Sequence, residues 1–87
     1  MSVRIELFGI PRHRAGVGQV EVDAGTLGEA LDQTARLLPQ LDRVCLAGGR
    51  LRSGYLANLN GRMFVSDPQT PLSAGDCVLI LSSDVGG

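Results

Sequence analysis

Lysine and tryptophan are absent from this 87-residue chain, and aromatic residues amount to one Tyr and two Phe. A core built without large rings has to be aliphatic. Every basic residue is therefore an Arg, and the formal net charge is −1. With neither a basic stripe nor aromatics on which bases could stack, nucleic-acid binding is not expected. No apolar run approaches the length of a membrane span. The beginning of the sequence lacks the apolar segment and small-residue cleavage site of a signal peptide, so the expected address is the cytoplasm. Only two cysteines occur, Cys45 and Cys77, each without a neighbouring Cys or His. That excludes the common metal spacings, and no metal is expected. Both read as small buried hydrophobes rather than reactive thiols, because nothing beside them in the sequence would lower a thiol pKa.

What is present suits a single small domain. Apolar residues make up 44% of the chain and charged residues 20%, ordinary values for a folded protein. The opening Val3-Arg4-Ile5-Glu6-Leu7-Phe8 alternates as a half-buried strand does, with Val3, Ile5 and Leu7 inward. Gly9 and Pro11 end it, and a loop over residues 12–16 leads to a second alternating segment, Gly18-Gln19-Val20-Glu21-Val22-Asp23. The two read as a hairpin. His13, set among arginines in the loop, reads as solvated rather than catalytic.

Thr26-Leu27-Gly28-Glu29 is a capping box, in which the threonine hydroxyl accepts from the third helical amide while the glutamate reaches back. From there Leu27, Ala30, Leu31, Thr34, Ala35, Leu37 and Leu38 fall on one side of a helical wheel. Pro39 stops the helix at about Leu38. Residues 42–53 fit either a brief strand or an ordered loop. Tyr55-Leu56-Ala57-Asn58-Leu59 and residues 62–66 then flank Asn60-Gly61, the strongest two-residue hairpin signal. Turn clusters at 67–71 and 73–76 precede a last strand, Cys77-Val78-Leu79-Ile80-Leu81. It is apolar at both parities, which suits a central strand buried on both faces. A single helix covers only one sheet face, so the other must be covered by the middle segment or left as an apolar patch. Full burial is the favoured expectation. The order of elements predicts an α+β fold, a mixed sheet with one helix packed across one face.

The final residues, Ser82-Ser83-Asp84-Val85-Gly86-Gly87, are small and polar and close on two glycines. Taken alone, that end fits a frayed terminus. It also fits a tail able to enter a narrow channel, since glycine lacks a Cβ. The expected organisation is a globular domain over residues 1–81 and a flexible tail over 82–87.

Taken together and in order, the strand at residues 4–8, the capped helix, Leu59-Asn60-Gly61, Pro71-Leu72-Ser73-Ala74-Gly75-Asp76 and Gly86-Gly87 resemble a known family. The chain is similar over essentially its whole length to the small sulfur carriers of the β-grasp, ubiquitin-like fold (MoaD/ThiS type). These are the small subunit of molybdopterin synthase and the thiazole-synthesis carrier. The long stretch between helix and hairpin resembles the molybdopterin-synthase subunit more. The resemblance implies a carrier that catalyses nothing itself and binds no cofactor. Its Gly87 carboxylate would be adenylated by an E1-like partner using ATP and Mg, then converted to a thiocarboxylate by a sulfur donor protein. An acceptor synthase large subunit would take the sulfur. Gly86, Val85 and Asp84 would thread the partner's active site, and Phe8, Phe64, Leu79 and Leu81 would form a partner surface. Three destinations stay open: molybdopterin, a thiazole or other sulfur-containing metabolite, and attachment to proteins as a ubiquitin-like modifier. A plain β-grasp interaction domain also remains. A β-grasp ferredoxin is excluded, because two cysteines cannot ligate a cluster.

Overall fold

A computed structural model describes residues 2–83 of the chain. The first strand, β1 (Ser2–Leu7), buries Val3, Ile5 and Leu7 and exposes Ser2 and Arg4, as its alternation predicts. The segment read as a loop is instead a short helix, α1 (Ile10–Ala15). Pro11 lies in its first turn, where a fixed φ and a missing N–H cost nothing, so the proline that ends the strand also starts the helix. Gly16 closes α1 in the left-handed conformation and donates its N–H to the Arg12 carbonyl at 3.0 Å. His13 is exposed, but on this helix.

β2 (Gln19–Asp23) returns antiparallel to β1. The main helix, α2 (Leu27–Leu37), begins as the capping box requires, with Glu29 N–H donating to the Thr26 hydroxyl at 3.2 Å. The Glu29 carboxylate reaches one residue further back than the motif describes and accepts from Gly25 N–H at 3.0 Å. The amides of Leu27 and Gly28 donate to the carbonyls of Thr70 and Pro68. The proline-bearing turn at 67–71 thus completes the cap. Leu37, assigned to the buried side, is 56% exposed. Pro39 ends α2 there and opens a 3-10 turn (Pro39–Leu41) whose Leu41 enters the core instead.

The undecided stretch is a two-residue hairpin, β3 (Leu46–Ala47) with β4 (Arg50–Leu51). It packs on α2, and Cys45 and Leu46 are wholly buried beneath it. β5 (Tyr55–Leu59) and β6 (Met63–Val65) pair around Asn60 and Gly61. Their φ values of 57° and 70° are those of a type I′ turn, but Leu59 pairs with Met63, so Arg62 joins them and the connection is three residues long rather than two. β7 (Cys77–Ser82) lies in the middle of the sheet, whose order is β2-β1-β7-β5-β6. It runs parallel to β1 and antiparallel to β5. The first and last strands therefore meet at the centre, with α2 across one face.

That face carries the core. Val3, Ile5, Leu27, Leu31, Leu41, Leu46, Val78 and Ile80 are inaccessible or nearly so. Burial of β7 on both faces does not occur. Val78 and Ile80 are buried, whereas Cys77, Leu79 and Leu81 are only half-buried. The β3–β4 hairpin packs on the helix side, so nothing among the described residues layers the opposite face. Among the described residues, no helix is long and apolar enough to cross a membrane.

Candidate partner interface

The uncovered face is assembled row by row from the strand register. Glu6 of β1 lies beside Leu79 of β7, Leu79 beside Asn58 of β5, and Asn58 beside Phe64 of β6. One row away, Arg4 pairs with Cys77, and in the other direction Leu81 pairs with Leu56. Phe8 continues β1 past Leu7, donating its N–H to the Ile80 carbonyl at 3.0 Å, which sets it next to Leu81. Phe8 and Phe64 are 60% and 62% exposed. Phe8, Phe64, Leu79 and Leu81 thus share one sheet face. Leu56 and Asn58 complete it, both identifiable only once the register showed which parity of β5 turns away from α2. Asp84, Val85, Gly86 and Gly87 lie outside the described residues.

The face is apolar where β7 ends and polar where it begins. At the polar end a shallow groove is lined by Arg4, Glu6, Asn58, Asn60, Cys77 and Leu79, among others. Cys77 Sγ donates to a Glu6 carboxylate oxygen at 3.2 Å, and Arg4 Nε stands 3.8 Å from the other oxygen. Partial burial and the Glu6 carboxylate raise the Cys77 pKa, so its thiol stays protonated although it is not the buried hydrophobe expected. Burial pushes Cys45 up to about 11. Asn60 ties the strands together. Its carbonyl oxygen accepts from Cys77 N–H at 2.8 Å and its amide donates to Asp76 at 3.0 Å. Asp76 also accepts from Ser73 N–H at 2.8 Å, and these two bonds, the backbone one foremost, hold its carboxyl below the usual range. Asn58 Oδ1 is buried without a hydrogen-bond partner, a cost the fold carries in the centre of this face.

The Cys77 thiol is paired with the Glu6 carboxylate on this face, but its pKa is raised rather than lowered, the opposite of what an activated thiolate needs. Among the described residues, no group of three His, Cys, Asp or Glu is placed to hold a metal. The face offers an apolar strip at one end and polar side chains at the other.

No protein-family model matches the chain, and no curated protein matches it. Solved structures do. SAMP1 from Haloferax volcanii is 28% identical, with all of both chains covered and a TM-score of 0.84. An Amycolatopsis orientalis BexX/CysO complex contains a chain 20% identical, with 98% of this chain and 99% of that one covered and a TM-score of 0.79. A complex of subunits 1 and 2 of the molybdopterin-converting factor from Helicobacter pylori contains one 22% identical, with both fully covered and a TM-score of 0.69. The mixed five-stranded sheet, the helix across one of its faces and these neighbours agree. The chain has a β-grasp, ubiquitin-like fold, similar to that of these sulfur-carrier and modifier structures.

Proposed function

We propose that this chain is a sulfur carrier whose reacting group is the carboxylate of Gly87, taken as the last residue of the chain. The observation that carries the reading is a diglycine placed a few residues beyond the central strand of a β-grasp sheet whose exposed face is apolar at that same end. A carboxylate is a poor electrophile. An E1-like enzyme with ATP and Mg would join it to AMP and release pyrophosphate. A persulfide on a sulfur donor protein would then displace AMP, forming an acyl disulfide. A thiol would reduce that disulfide, leaving a thiocarboxylate on Gly87 and a mixed disulfide on the donor side. The sulfur would next act as a nucleophile in an acceptor enzyme. Gly86, Val85 and Asp84 would pass through the partner's channel while Phe8, Leu79, Leu81 and Phe64 hold its surface. The neighbouring molybdopterin-converting factor supports molybdenum cofactor biosynthesis as the destination.

Intact-mass measurement after incubation with the E1-like enzyme, ATP, Mg and a persulfide donor tests this. Replacement of one terminal oxygen by sulfur is the expected result. An unchanged mass, with both partner enzymes shown active, would sink the proposal.

A second reading has its own support, because the 28% identical neighbour is described as a small archaeal modifier protein. In that reading Gly87 would be joined to lysines of other proteins. Since this chain has no Lys, it could not be extended into lysine-linked chains of itself. Reductant-resistant adducts on immunoblots would identify this activity.

A further inference from the structure

Arg12, His13 and Arg14 follow one another on α1, two guanidinium groups with an imidazole between them, and all three are exposed. The ion pairs formed among the described residues are Arg4 with Glu6 and Arg36 with Asp32, so neither arginine of α1 pairs with a carboxylate among them. Their placement follows from Pro11 and Ala15, the residues α1 buries, which anchor it against β7 and the 3-10 turn. The basic residues are thereby turned outward at the end of the sheet where β1 and β7 finish. Exposed apolar residues flank the triad in the chain, Phe8 and Ile10 before it and Val17 after it, and Phe8 continues β1 beside β7. Arg12 and His13 also line a shallow groove whose other walls are Gly9, Gly16, Val17 and Gly18. Its glycine walls leave room for a side chain to approach the Arg12 guanidinium, which itself lies against Gly18.

We infer that α1 is the electrostatic half of the docking surface and receives an acidic segment of the adenylating partner, with a partner carboxylate seated in the groove between Arg12 and His13. This rests on the sulfur-carrier reading above. Unpaired guanidinium groups at the rim of an apolar patch attract carboxylates during approach and fix orientation more than they add affinity. The apolar strip of Phe8, Leu81 and Leu79 would then close against the partner. The chain's overall charge is slightly negative, so the attraction comes from this local patch and not from the molecule as a whole.

The test compares the unmodified chain with Arg12→Glu/Arg14→Glu in AMP formation by the E1-like enzyme, at low and at high salt. The reversed chain is expected to show a KM raised about tenfold or more at low salt, kcat unchanged, and a difference that shrinks as salt is added. Arg43→Glu/Arg50→Glu, an equal charge change at exposed positions elsewhere, should leave KM near that of the unmodified chain. Because glutamates at the end of α1 could fray it, Arg12→Gln/Arg14→Gln is measured alongside and should fall between. Equal KM values for all four chains would overturn the inference and leave the sulfur-carrier proposal standing. An equal loss in the control pair would also overturn it, since net charge alone would then explain the effect. No adenylation of the unmodified chain by an active enzyme would remove both.

Discussion

The two cysteines differ in what surrounds them, one in the turn before β3 and the other at the start of β7. Cys45 is sealed under the β3–β4 hairpin, while Cys77 lies on the uncovered face with its thiol on Glu6. Iodoacetamide on the native protein should therefore label Cys77 first, and peptide mass mapping should find Cys45 modified only once the chain unfolds. Cys45 also predicts a pH dependence. Its thiol has an ordinary pKa of 9.0 when unfolded and about 11 when folded. Between those values the unfolded chain has lost a proton that the folded chain keeps, so stability is full below pH 9 and falls as pH rises through 11. Urea midpoints across that window should decline, and less steeply for Cys45→Ala. Sequence reasoning placed Cys45 correctly because Val44 and Leu46 flank it in an apolar run. It misplaced Cys77 because a strand that is apolar at every position does not reveal which parity meets the helix.

Among elements, the β3–β4 hairpin depends on a close backbone approach. A Cβ on Gly49 would lie 2.9 Å from the Gly28 carbonyl oxygen in the first turn of α2. Both sides of that contact are backbone, so neither can move aside without shifting its element. Gly49→Ala should cost about 1–3 kcal/mol in urea unfolding, and a variant as stable as the unmodified chain would show that the hairpin stands off the helix. The capped helix and the Asn60-Gly61 hairpin were both legible beforehand, since their signals reside in neighbouring residues. The role of Pro68 and Thr70 in capping α2 was not, because the carbonyls that accept from Leu27 and Gly28 come from some forty residues away in the chain. Likewise α1 was hidden because a helix of six residues has no periodicity to detect.

At the scale of the molecule, the buried core is formed within the described residues, from Val3 to Ile80. Deleting Gly87 should leave the thermal midpoint unchanged while abolishing sulfur uptake by mass measurement. A shortened chain that still gains sulfur would move the reacting group elsewhere. The sequence by itself determined the α+β class, the capped helix, the type of the β5–β6 turn and the aliphatic core, because each follows from residues a few positions apart. It also marked Gly86-Gly87 as the end to watch. Only the tertiary structure decided that β7 has one face uncovered and that Phe8, Phe64, Leu79 and Leu81 share it. It alone set the arginines of α1 at the end of β7. Those facts depend on the register and order of strands distant in the chain. A shift by one residue would have turned every one of those side chains to the other face.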